Sequence, residues 1–368
     1  MKKYKKMVLA CSIIFMVAVA AFVGFMQQKK FGKLPAGDRM LRIQQSPNYK
    51  DGAFQNEHHT PVMTEGVSFL SALKEFFFAK GRTPAKGIPS MKTDLRSLDP
   101  AMDVLVWFGH SSYFMQIGGK TFLVDPVFSG SASPVAFTTR AFAGSDRYST
   151  ADLPYIDVLF ITHDHWDHLD FETVTALRTK TSQVICPLGV GEHLMYWGFG
   201  SEQVIELDWH DSVSLKDGIS VYAKPARHFS GRGFTRNQSL WASFVLQTPQ
   251  GKIFIGGDSG YDTHFAAIGN EFGPFDLAIL ENGQYDKSWK YIHMMPAEVL
   301  QAACDLKAKR ILPVHSSKFA LANHAWDTPL KTITAISEQN RIGVVTPMIG
   351  EAVLLNETSQ IFSKWWEK

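Results

Sequence analysis

Four short polar patches, far apart in the chain, each follow or interrupt a strand-like apolar run, and together they narrow the folds open to this sequence. The densest is Thr162-His163-Asp164-His165-Trp166-Asp167-His168, directly after Val158-Leu159-Phe160-Ile161. Downstream come Arg227-His228, then Gly256-Gly257-Asp258-Ser259-Gly260, then Pro313-Val314-His315. A buried strand gives its last residues a fixed direction, so side chains just past strand ends converge without depending on loop flexibility. A polar surface loop is the plain alternative for the cluster. Against it, alternate residues of an extended turn aim His163 and His165 the same way, and Asp167-His168 then lead into a helix. Imidazoles mixed with carboxylates suit zinc, and a carboxylate able to bridge suits a metal pair.

The rest of the chain supports a layered α/β fold. From Asp103 the pattern is strand-like: Val104 to Phe108, Tyr113 to Ile117 and Lys120 to Val124, with Gly118-Gly119 as a hairpin signal. A helix is expected over Asp170 to Arg178 and a strand over Ser182 to Cys186. Further strands are expected at Val204–Leu207, Ile219–Ala223, Trp241–Leu246 and Lys252–Ile255. After Asp258 strands and helices alternate, with Leu277–Leu280, a helix from Pro296, and Arg310–Leu312. Two halves of strands and covering helices, with the polar patches between them, predict an αββα sandwich over residues 101–368. Residues 129–153 read as an irregular insertion bordering the site.

The first 26 residues form a separate unit. Four lysines within Met1 to Lys6 precede an uncharged, mostly apolar run from Met7 to Met26, long enough to span a bilayer. A cleaved signal peptide with Ala18-Val19-Ala20 as its site is the competing reading. The apolar run continues past Ala20, which favours an uncleaved anchor. The lysines ahead of the span are expected to keep that end cytoplasmic and direct the rest of the chain across the membrane, with Lys29, Lys30 and Lys33 after the span pulling the other way. Residues 27–100 read as a linker carrying an accessory helix over Thr64 to Lys80, where Phe76-Phe77-Phe78 is assigned mainly to core packing. The terminal Trp365-Trp366, flanked by Lys364 and Lys368, suits a membrane interface or a helix packing one Trp on the core.

Composition excludes some functions. Lys+Arg number 37 against Asp+Glu 35, without a basic block in the folded region, so nucleic-acid binding is not expected. Twenty-seven Phe exceed what packing alone asks for and hint at an apolar binding surface. Of the three cysteines, Cys186 and Cys304 are expected to be small buried hydrophobes, and Cys11 lies in the apolar run. They imply no disulfide framework.

The patches resemble the metallo-β-lactamase fold superfamily, and within it the N-acylphosphatidylethanolamine phospholipase D group. The closer likeness is carried by Trp107-Phe108-Gly109-His110-Ser111-Ser112, Thr121 to Pro126, Ile161 to His168 and Gly257 to Tyr261. It continues in Tyr291-Ile292-His293-Met294-Met295-Pro296-Ala297-Glu298 and His315 to Leu321. The resemblance implies two zinc ions, one on His163, His165 and His228, the other on Asp167, His168 and His315, with Asp258 bridging. It also implies a catalytic His293 that stabilises charge on a reacting phosphate, a membrane lipid as substrate, and hydrolysis of its phosphodiester. His110 and Asp125 are candidates to orient ligands, whereas His58, His59, His193, His210, His264 and His324 are expected to be structural or exposed. A metal-dependent hydrolase of another phosphodiester or of a lactone, tethered to a membrane, fits the same residues. So does a non-catalytic, membrane-anchored interaction module, which the complete ligand set disfavours.

Overall fold

The computed structural model describes residues 1–340 and 342–367. Two seven-stranded sheets lie face to face. The first runs in the order Ala352–Leu354, Val104–Trp107, Tyr113–Ile117, Lys120–Val124, Ile156–Phe160, Thr181–Pro187, Val204–Leu207. The second runs Gly343–Val344, Arg310–Val314, Leu277–Glu281, Gly251–Ile255, Ser243–Thr248, Ser220–Lys224, Ser212–Ser214. Each sheet is antiparallel over one half and parallel over the other. The halves thus share a pairing pattern although their sequences do not advertise it.

Strand alternation builds the layers. Leu105 and Trp107 point into the core between the sheets, while Val104 and Val106 point outward. That outer face is covered by helices Phe171–Leu177 and Val190–Tyr196 through Val174, Leu177, Val190 and Leu194. On the second sheet, Phe254, Ala278 and Leu280 face helices His264–Phe272, Pro296–Asp305 and Thr328–Asn340. The expected αββα sandwich is therefore present. The Gly118-Gly119 hairpin also forms: Ile117 pairs with Lys120, and both glycines take the positive φ that a two-residue turn demands.

Several local expectations need correction. The stretch after Met26 is packed against the sandwich: it holds helix Gly37–Gln44 and a small hairpin, and Ile43 and Phe54 are fully buried in the central core. The accessory helix is shorter than expected, Phe69–Phe78, capped by the Ser68 side chain accepting from Ser71 N. Phe77 and Phe78 stand 72% and 75% exposed, so core packing does not account for them. Trp365 and Trp366 do the opposite. Both are buried, with Trp365 between Trp107 and Trp326 and donating from Nε1 to Pro347 O, which removes the membrane-interface reading. Cys304 is exposed on the outer side of its helix. The irregular stretch 129–153 buries Phe142 and Tyr148, and its described residues do not line the cavity that holds His165, Asp258 and His315.

The N-terminal helix Lys2–Met26 is long and apolar enough to cross a membrane. Its apolar side chains, Ile14 and Phe15 among them, are exposed, unlike those of a core helix.

Candidate metal centre

Six of the seven ligand candidates gather at the C-terminal ends of strands in the parallel parts of the two sheets. Strand Ile156–Phe160 delivers the loop 162–168, strand Gly251–Ile255 delivers Asp258, and strand Arg310–Val314 delivers His315. His228 follows strand Ser220–Lys224. All seven are drawn together, four from the first half of the sandwich and three from the second.

Two pockets result. In the first, His163 Nε2 and His165 Nδ1 are 2.9 Å apart, and His228 Nε2 lies 3.2 Å from the same His165 nitrogen. Donors of a tetrahedral zinc site sit about 3.3 Å apart. In the second, Asp167 Oδ2 lies 3.6 Å from His168 Nε2 and 3.4 Å from His315 Nε2. Asp258 stands between the two. Its Oδ2 is 3.2 Å from His168 Nε2 and 3.1 Å from His315 Nε2, and 3.9 and 3.8 Å from His163 Nε2 and His228 Nε2. Asp258 Oδ1 and His168 Nε2 are buried without a hydrogen-bond partner among the described residues. Buried polar atoms are rarely left so, and here they face a cluster of donors able to hold a cation.

The charge state agrees. Burial pushes the imidazoles of His163 and His228 well below their usual range, and that of His165 down to about 4. They are therefore neutral and present lone pairs. Burial also opposes charge on His168 and His315, but Asp258 outweighs it, joined by Asp167. His168 is held well above its usual range, and His315 reaches about 10. Asp258 and Asp167, although buried, are held well below the carboxylate range, chiefly by His168. This pocket attracts positive charge. The donor set fits a pair of divalent ions.

A second layer fixes the ring orientations. His168 Nδ1 donates to Asp125 Oδ2 at 2.8 Å, and Asp125 also takes the Thr162 hydroxyl at 2.6 Å and the Thr162 N–H at 2.8 Å. His163 Nδ1 faces the Thr162 hydroxyl at 3.0 Å, and His228 Nδ1 donates to Ile292 O at 3.0 Å. His110 Nε2 lies 2.9 Å from Asp167 Oδ2. Both orienting candidates, His110 and Asp125, thus touch the ligand set. Asp125, His110, His315 and Gln284 all have positive φ, a concentration of backbone strain around one site.

A family model described as the beta-lactamase superfamily domain matches residues 120–316. The chain belongs to the metallo-β-lactamase superfamily. An uncharacterised protein of Mycobacterium tuberculosis is 37% identical over 316 residues, 84% of this chain and 85% of that one. An N-acyl-phosphatidylethanolamine-hydrolyzing phospholipase D of Caenorhabditis elegans is 33% identical over 226 residues, 57% of this chain and 62% of that one. Among solved structures, Igni18, a metallo hydrolase of Ignicoccus hospitalis, aligns with a TM-score of 0.53 at 19% identity, covering 69% of this chain and 98% of Igni18.

The loop 162–168 opens onto a cavity of about 260 Å³, lined by His165, Asp167, His228, Asp258 and His315 together with His293. His293 Nδ1 is held by Glu281 Oε2 at 2.6 Å, and the other Glu281 oxygen accepts from Met294 N. Glu281 was missed by the sequence reading. Its signal was there, a carboxylate ending the apolar strand Leu277–Glu281, as Asp258 follows its own strand. Burial pushes its carboxyl above the usual range. The apolar wall was also missed: Val62, Met63, Phe229, Trp289, Ile292 and Leu321. These side chains come from four separate segments, which only the fold collects. Of the histidines assigned a structural role, His193 and His264 are buried, as that role requires, and His58 is exposed beside Asp262.

Proposed function

We propose that this chain is a dinuclear zinc phosphodiesterase acting on membrane lipid, cutting on the headgroup side as an N-acylphosphatidylethanolamine phospholipase D does. Membership of the superfamily makes it a metal-dependent hydrolase. The observation that carries the finer reading is a carboxylate, Asp258, within reach of both ligand sets in a cavity that apolar side chains also line. His163, His165 and His228 on one side, and Asp167, His168 and His315 on the other, with Asp258 between them, would hold two divalent ions, which would supply Lewis acidity toward a water and the phosphoryl oxygens.

The protein's own residues do the rest. Asp125 and the Thr162 hydroxyl lock the imidazoles in the orientation that presents their lone pairs. Glu281 fixes His293 beside the cluster, where its free nitrogen reaches a phosphoryl oxygen and stabilises developing charge. Val62, Met63, Phe229, Trp289 and Leu321 take the apolar part of the substrate and exclude water. No side-chain nucleophile is required. The helix Lys2–Met26 keeps the enzyme on the surface where such a substrate is concentrated, with four lysines holding its start on the cytoplasmic side and the catalytic domain on the other.

The test is a substrate panel given to the full chain in detergent: N-acylphosphatidylethanolamine, phosphatidylethanolamine, a soluble phosphodiester and a sugar-phosphate lactone. Release of an N-acylethanolamine is the expected result. Turnover confined to the last two would overturn the lipid assignment and leave a hydrolase of small substrates.

A further inference from the structure

The ligand loop has a rear face, and the segment following the apolar helix is packed against it. Along an extended run, successive side chains point to opposite sides. His163, His165 and Asp167 face the ligand cluster, while Asp164 and Trp166 face away. Buried Asp164 accepts from Gly231 N at 2.6 Å, Ser239 Oγ at 2.8 Å and His193 Nε2 at 3.2 Å. His193 Nδ1 accepts in turn from Lys33 N at 3.0 Å. Trp166 meets Phe31 edge-on with ring centres 5.1 Å apart, and Phe31 meets Phe25, in the last turn of the apolar helix, at 5.3 Å.

Arg232 joins the two layers. Its guanidinium lies 4.0 Å over the Trp166 ring and donates to Asp164 O at 2.9 Å and Leu169 O at 2.6 Å on the loop side. On the other side it donates twice to Lys30 O, at 3.1 and 2.8 Å. Trp197 Nε1 adds a bond to Lys29 O at 2.7 Å. A buried guanidinium is costly unless its donors are paired, and half of this pairing comes from the juxtamembrane backbone. Gly32 makes the approach feasible. Its φ is +75°, and a Cβ there would stand 2.0 Å from His193 Nδ1.

We propose that Lys29–Lys33 is a positioning element of the metal centre, clamping the rear of loop 162–168 so that the membrane helix and the ligand loop form one mechanical unit. This rests on the reading of His163, His165, Asp167 and His168 as metal ligands. It makes metal affinity depend on residues more than a hundred positions upstream that touch neither ion nor substrate.

The experiment titrates cobalt(II) into the full, detergent-solubilised chain and reads both affinity and the visible absorption band, with no substrate present. Gly32→Ala and Phe31→Ala are each expected to weaken cobalt binding about tenfold or more and to shift the band, the scale found when groups supporting metal ligands are removed. Phe31→Tyr, which keeps the ring against Trp166, should restore wild-type binding. Phe15→Ala, in the exposed middle of the apolar helix, should change nothing. If Gly32→Ala fails to fold, half-buried Phe31 decides alone. Affinity within about twofold of wild type and an unshifted band in Phe31→Ala would overturn the proposal. A wild-type chain that takes up no cobalt would overturn the metal-centre reading and this proposal with it. Failure of the lipid assay touches neither measurement.

Discussion

The three-histidine pocket and the carboxylate-bearing pocket stand side by side around Asp258, yet they hold their side chains by different means. His163 and His228 are oriented by a hydroxyl and a backbone carbonyl, Thr162 and Ile292. Burial keeps those imidazoles uncharged. On the other side, His168 is gripped by the Asp125 carboxylate, and Asp167 is paired with His110. That side gathers charge. Neutral donors bind an ion through lone-pair geometry, whereas buried carboxylates also bind it through charge. Ions held in the two pockets would therefore differ in how they respond to mutation, although one aspartate stands between them.

Asp258→Asn should have the largest effect, because it removes the group common to both pockets. Turnover is expected to fall below detection and metal content below two ions per chain, with the far-ultraviolet dichroism unchanged. Two ions retained with full turnover would mean that the pockets are independent. His165→Ala should separate them, leaving one ion per chain, bound on the carboxylate side, and no activity. His293→Ala should lower turnover roughly 10²–10³-fold while both ions stay, because its assigned partner is a phosphoryl oxygen. Unchanged turnover would return His293 to a structural role held by Glu281. Asp125→Asn should weaken only the carboxylate-side ion, about 10–100-fold in a competition titration. Thr162→Val should have the smallest effect. Its hydroxyl bridges Asp125 and His163, so a loss of about two- to tenfold spread over both ions is expected from one hydrogen bond.

How much of this was legible in the sequence follows from what each feature depends on. The convergence of loop 162–168, Asp258 and His315 could be anticipated because a strand-like run followed by a His or a carboxylate is a local pattern. The Gly118-Gly119 hairpin was local too. Glu281 was passed over because a single carboxylate at a strand end has no spacing partner, and only the fold sets it 2.6 Å from His293. Trp365 and Trp366 were ambiguous for the same reason. Two adjacent indoles beside lysines suit a membrane or a core equally, and the slot between Trp107 and Trp326 is built from distant residues. Residues 27–61, the first part of the stretch that reads as a linker, carry turn signals such as Pro35-Ala36-Gly37-Asp38 and Ser46-Pro47-Asn48, although Ile43 and Phe54 anchor them in the core. Sparse apolar residues between turns carry no periodicity, so their burial does not register as a pattern. Cys304 shows the converse, a small residue assigned to the interior that its helix turns to solvent.

The parallel construction of the two sheets has a consequence for how the molecule comes apart. Each pocket draws ligands from both halves, so an ion held by His165 and His228 closes a loop of 63 residues, and one shared by Asp167 and His315 closes a loop of 148. Ions that bind only the assembled state add their binding free energy to its stability. The first departure from the native state in the presence of a chelator should then be a parting of the halves along their seam, with each sheet still paired within itself. The cofactor of the reaction would double as the clasp that keeps the shell shut.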